Sequence, residues 1–161
     1  EYEDNKREAL SKTRPIDEDL HLKEIGWLKV QIIYQPSFDK NYVWDIREKE
    51  KDGERHYELY ENQLESKKTI APGYKKLGIS SDELLHLINK IYSIKLSLAI
   101  TPMEGCGLDG ILYGLNIYEN YYRFIKITWW ERPQDNLIEL SEVLKKYIEI
   151  FKETKEKKDI D

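Results

Sequence analysis

Cysteine and methionine each occur once in this 161-residue chain, and proline five times. A lone thiol, Cys106, excludes an intrachain disulfide framework. The three histidines, His21, His56 and His86, are scattered, and none pairs with another ligand at metal-binding spacing. No metal and no cofactor is therefore expected. No apolar run approaches the length of a membrane span, and no signal-peptide pattern is visible. The chain opens at Glu1 and its methionine is the internal Met103, so an upstream leader stays open beside a cytoplasmic default.

Basic residues are in deficit, 26 Lys and Arg against 31 Asp and Glu, for a formal charge of −5. Binding to a nucleic acid backbone then has no obvious electrostatic source. An acidic surface suits a basic protein partner, although modest acidity also keeps a protein soluble. The eight glycines include no G-x-x-x-x-G-K-[ST] pattern, which excludes a classical phosphate loop.

What is present is enough for one globular domain, since 40% of the residues are hydrophobic and 35% charged. Residues 1–24 are mostly polar and read as an arm, with Pro15 interrupting any helix. Residues 25–152 read as a single domain, and 153–161 as a charged tail that frays from about Lys152. "GWLKVQIIYQP" is strand-like and ends at Pro36. Asp52-Gly53 signals a type I′ hairpin, because both turn positions need positive φ. That register opposes Lys51 to Glu54, Ile46 to Leu59 and Arg47 to Glu58, an apolar pair on one face and a charge pair on the other.

Residues 66–79 read as a loop around Pro72-Gly73. "SSDELLHLINKIYSIKL" reads as a helix opened by a capping box of Ser80 and Glu83. Leu84, Leu87, Ile88 and Ile91 share its apolar face, with His86, Asn89, Lys90 and Ser93 opposite. "ILYGLNIY" and "YYRFIKITWW" form a second hairpin, joined around Glu119-Asn120 and expected at the centre of the sheet. Ile125, Ile127 and Trp129 are expected to share a buried face with Leu112, beneath Leu140 and Leu144. Trp129 and Trp130 point to opposite faces, one to the core and one to a rim. Asp135 is placed to cap a last helix with the stripe Leu137, Leu140, Leu144, Tyr147 and Phe151. The fold class is α+β, an antiparallel sheet of two main hairpins with two helices on one face.

The run from "GLDGILYGL" through "WWERP" to the leucine-rich helix resembles a widespread bacterial domain family of unknown function. Gly107, Asp109, Gly110, Tyr113, Leu115, Trp129, Trp130 and Pro133 carry the likeness. That family often has an acid where this chain has Asn116. The resemblance implies no activity, and only by analogy with other small α+β domains does it point to an immunity-type inhibitor.

Candidate chemistry is sparse. Asp109, between glycines, is either a presented carboxylate, with Glu104 as a second acid, or simply a turn residue, which is the commoner role. Cys106 has no cationic neighbour in sequence to activate it. Tyr118, Tyr121 and Tyr122 cluster at a hairpin tip, as sheet cover or as anchors for a partner. The leading expectation is a non-enzymatic protein-binding domain that meets a basic partner through Glu104, Asp109, Tyr118, Tyr121 and Tyr122. The alternatives are an exported domain binding a small ligand or cell-surface component, and an enzyme built on Asp109 and Glu104.

Overall fold

The computed structural model describes residues 20–63, 73–97, 109–120 and 123–155. In chain order the strands are β1 (His21–Leu22), β2 (Gly26–Pro36), β3 (Tyr42–Lys51), β4 (Glu54–Gln63) and β5 (Gly73–Leu77). Helix α1 (Ser81–Ser93) follows, then β6 (Ile111–Asn120) and β7 (Arg123–Trp130). A 3-10 turn at Asp135–Leu137 leads into helix α2 (Ile138–Glu153). All seven strands join one antiparallel sheet in the order β5-β4-β3-β2-β6-β7, with β1 paired to β2. The fold is α+β, as the patterning predicts.

Local chemistry explains most element boundaries. Asp52 and Gly53 have φ of 56° and 80°, the two positive angles a type I′ turn needs. The register of β3 on β4 opposes Lys51 to Glu54, Arg47 to Glu58 and Ile46 to Leu59. The Ser80 hydroxyl accepts from the Glu83 N–H at 3.3 Å, and the Glu83 carboxylate accepts from the Ser80 N–H at 3.3 Å, so the capping box is complete. Leu84, Leu87, Ile88 and Ile91 are buried, as the helical spacing requires.

Four expectations are corrected. Among the described strands the β6–β7 hairpin is not central: β2 is, between β3 and β6, and β7 lies at an edge. Within 66–79, residues Gly73–Leu77 form an edge strand, β5. Its single buried residue, Leu77, gives no alternation to read. Asp135 does not cap α2; it opens the 3-10 turn, whose N-cap is Gln134, without a side-chain cap bond. At both ends some of the described residues expected in the arm or tail are packed, while residues 1–19 and 156–161 lie outside the described residues. Leu20 is buried beside Leu28 and Tyr118, Lys152 lies 3.9 Å from the Tyr34 ring centre, and the Lys155 carbonyl accepts from Gly78 N–H.

The two faces of the sheet differ. On the helix side the opposed residues Ile125, Ile117, Val30, Ile46, Leu59 and Leu77 form one apolar row across six strands. Beside it, Ile127, Leu115, Ile32 and Trp44 form a second, and α1 and α2 bury Leu84, Leu87, Leu140, Leu144 and Phe151 against these rows. Tyr113 stacks on Trp129 with ring centres 5.5 Å apart. On the other face, the row between them reads Lys126, Asn116, Gln31, Asp45, Tyr60 and Lys76, polar on every strand. Leu112 opposes Trp130 on this second face, and Ile125 is 56% exposed. The expected Leu112–Ile125–Ile127–Trp129 cluster therefore splits: Trp129 joins the core with Leu140 and Leu144, Ile127 is partly buried against it, and the other two stand apart.

Candidate functional site

The polar row is the first place to look for chemistry. Asp45 and Arg47 are 1% and 0% exposed and pair at 3.0 Å. The second Asp45 oxygen accepts from Gln31 at 2.9 Å, and the Gln31 carbonyl accepts from Asn116 at 2.9 Å. Arg47 also donates to the Gly26 carbonyl at 3.1 Å and packs over the Tyr74 ring. These bonds meet most of the remaining valences that a buried ion pair needs filled, and the Arg47 Nε is left buried without a partner. Asp45, Arg47, Gln31 and Asn116 are all 3% exposed or less, so a substrate has no approach to them; together they are an internal clamp tying β6, β2 and β3 together.

A second cluster lies further along the same face. Glu58 pairs with Lys49 at 2.8 Å and Lys76 at 2.6 Å, and the Tyr60 hydroxyl donates to it. Burial alone would raise its pKa, but the hydrogen bonds from Lys49, Lys76 and Tyr60 outweigh that and hold it down to about 2. Glu58, Lys49 and Lys76 line an open groove of about 440 Å³ with His56, Ser80 and Ser81. A carboxylate held so acidic stays charged at neutral pH and is poorly suited to general acid–base work. Among the described residues no group of three His, Cys, Asp or Glu side chains converges to hold a metal ion, and no helix is long and apolar enough to cross a membrane.

The residues expected to form a partner surface separate. Glu104, Tyr121 and Tyr122 lie outside the described residues, as does Cys106. Asp109 is exposed and sits just before β6. Tyr118 sits near the other end of that strand, nine residues on, about 30 Å away at strand rise. It is also buried, 7% exposed, against Leu20 and Leu28, so its ring covers the sheet and is no exposed anchor. Asp109 and Tyr118 do not belong to one patch.

No family model, curated protein or solved structure matches the chain. Of the residues that carry the resemblance, Asp109 is exposed, while Gly110, Tyr113, Leu115 and Trp129 are occupied with packing. The Gly110 N–H and carbonyl both bond Ser37. A Cβ on Gly110 would stand 2.7 Å from the Trp130 indole nitrogen and 2.6 Å from the Glu131 side chain, so only glycine fits beneath that ring. Tyr113 and Leu115 lie in the core with Trp129.

The sheet edges remain, and they are unlike each other. β5 is five residues long and carries Lys75 and Lys76, the short charged design that discourages strand addition. β7 has eight residues, RFIKITWW. Its Phe124 and Ile125 are 54% and 56% exposed although they point to opposite faces. Among the described residues no strand pairs with its outer side. Main-chain direction follows from one bond: the Glu131 N–H donates to the Ile111 carbonyl at 2.7 Å. Opposed pairs alternate between bonded and non-bonded, so Trp129, Ile127 and Ile125 face their bonds toward β6. Phe124 and Thr128 then turn their N–H and C=O groups outward. The sequence identifies β7 as a strand but does not show that it is an edge, because strand order depends on where the chain returns after α1.

Proposed function

We propose that this chain is a non-enzymatic protein-binding domain whose contact surface is the outer edge of β7. The observation that carries the reading is this edge, with apolar side chains more than half exposed on both faces and outward main-chain groups at Phe124 and Thr128. An extended segment added there gains main-chain hydrogen bonds and lays alternate side chains on Ile125 and Ile127. The basic-partner expectation narrows to a local one. Glu131, beside Gly110 at the end of β7, and exposed Asp109 before it favour a basic group at that end of the incoming segment. An immunity-type inhibitor is one role that works through such a contact and needs no turnover.

The test is Thr128→Pro. Proline removes an outward N–H and leaves the β6 ladder bonded, as proline on edge strands does. Affinity capture by the wild-type chain should recover a protein that the variant does not, with both proteins folded by circular dichroism. Equal recovery of the same protein by both would remove β7 from the interface.

A further inference from the structure

β5 is shorter than the strand it borders. It pairs with β4 only from Leu59 to Gln63, so the stretch of β4 from Glu54 to Glu58 has no neighbour on that side among the described strands. The chain turns away after Leu77 into α1, and the notch it leaves is the open groove of about 440 Å³ that Glu58 lines. Strand addition is blocked at its centre, because the Tyr57 N–H already donates to the Ser81 hydroxyl at 2.9 Å.

The groove has two unlike sides. By register Lys49, Lys51, His56 and Lys76 share one face of the sheet, the face of the polar row. Tyr57 and Ile79, half-buried against the main core, line the groove from the helix side. In a chain of charge −5, this lining holds three lysines and a histidine against Glu50 and Glu58. Glu58 fixes two of the lysines, Lys49 at 2.8 Å on one oxygen and Lys76 at 2.6 Å on the other, and each ammonium group keeps N–H donors to spare. The side chains of Lys51, exposed, and His56, half-buried, have no ion-pair or hydrogen-bond partner among the described residues. A structural ion pair explains Lys49 and Lys76. It does not explain two further basic side chains beside them over an open groove.

We infer that this groove binds a small organic phosphate, with its phosphoryl group on Lys49, Lys51 and Lys76 and its apolar body over Tyr57 and Ile79. A phosphate monoester offers three acceptor oxygens and up to two negative charges, which matches several ammonium donors. Glu50 and Glu58 reduce the positive field of the lining, and a dianion draws twice as much from what remains as a carboxylate does. The volume is that of a small-molecule site, and the mixture of apolar surface with a few converging polar groups is what such sites present. The groove lies across the sheet from β7, so it stands whether or not that edge binds a protein.

Phenyl phosphate titrated into the full chain, followed by amide NMR shifts, tests the inference. Saturable shifts are expected at His56, Tyr57, Lys76 and Ile79. Lys51→Gln, at an exposed position outside the Glu58 network, should weaken binding roughly fivefold, the worth of one exposed charge contact. Lys76→Met should weaken it about tenfold, as loss of a hydrogen bond to a charged group does; if that variant is misfolded, Lys51→Gln carries the test. Inorganic phosphate should bind more weakly than phenyl phosphate, and Ile79→Ala should weaken phenyl phosphate alone, which separates the apolar side from the basic one. No saturation by about 10 mM phenyl phosphate overturns the inference. So does binding indifferent to Lys51→Gln, or inorganic phosphate bound as tightly as phenyl phosphate.

Discussion

The two faces of the sheet are made by the same strands and hold together by different physics. The helix-side face buries branched and aromatic side chains in rows, and its stabilisation grows with the apolar area removed from water. The opposite face buries an ion pair and two amides, with Asp45, Gln31 and Asn116 adjacent in one row and Arg47 two residues along β3 from Asp45. Its gain is small when complete and its loss is large when broken, because desolvated charge is costly unless every partner is present. Packing tolerates gradual change, whereas a buried polar row fails at a single missing atom. That contrast predicts how each face responds to substitution.

The largest effect is expected on the polar face. Asp45→Ala leaves the Arg47 guanidinium buried and unpaired, and should cost about 3–5 kcal/mol. Replacing both partners by apolar residues, Asp45→Leu with Arg47→Met, should cost far less than the single change. Urea titration of the single and double variants measures this. A double variant as unstable as Asp45→Ala would show that the pair is itself stabilising and that the two faces do not differ in kind.

On the helix face, Leu144 is fully buried in the main cluster. Leu144→Ala should cost about 2–5 kcal/mol, the transfer term plus a cavity. Leu144→Met should cost under about 1.5 kcal/mol, because volume is conserved. The polar row allows no comparable conservative change. A loss under about 0.5 kcal/mol for the alanine variant would mean that α2 does not press on the sheet there.

The β3–β4 hairpin keeps each residue on its own face, and its turn was legible because Asp-Gly has few other uses between alternating strands. α1 was legible for a similar reason, its capping box and apolar stripe being independent signals that agree. Asp45 and Arg47 were not legible as a buried pair. Charged residues two apart on a strand look like a solvent face, and the opposed Glu58 offered itself as the partner of Arg47. In the structure Glu58 turns to Lys49 and Lys76. The candidate site was half legible: "RFIKITWW" reads as a strand with both faces apolar, but whether those faces are covered depends on strand order, which no local pattern encodes. Gly53→Val tests the hairpin's part. Nothing stands within 4 Å of a Cβ at Gly53, so the cost is backbone strain at a φ of 80°, about 1–3 kcal/mol. A slip by one residue would carry Arg47 to the helix face. Thermal denaturation should show a lowered midpoint with cooperativity kept, and a broadened transition would mean that the register had slipped.

The smallest effect separates charge from packing through pH. Burial raises the pKa of Glu58, but bonds from Lys49, Lys76 and Tyr60 more than offset it, taking the group from its ordinary 4.5 to about 2. A carboxyl group depressed in the folded state releases its proton more readily there than in the unfolded chain. Its stabilisation is therefore fully present above about pH 4.5 and is lost as pH falls toward 2. Glu58→Gln keeps the side chain's shape and removes the titration. The variant should be less stable than wild type at pH 7, and the gap should narrow steadily as the acid is titrated from pH 4.5 to 2. Leu144→Ala, which removes no charge, should stay below wild type by a constant amount over the same window. Denaturant midpoints for the three proteins, taken at half-unit steps of pH, give the comparison directly. If the Glu58→Gln curve runs parallel to wild type, the lysine contacts at Glu58 contribute nothing that depends on its charge, and that cluster is held by hydrogen-bond geometry alone.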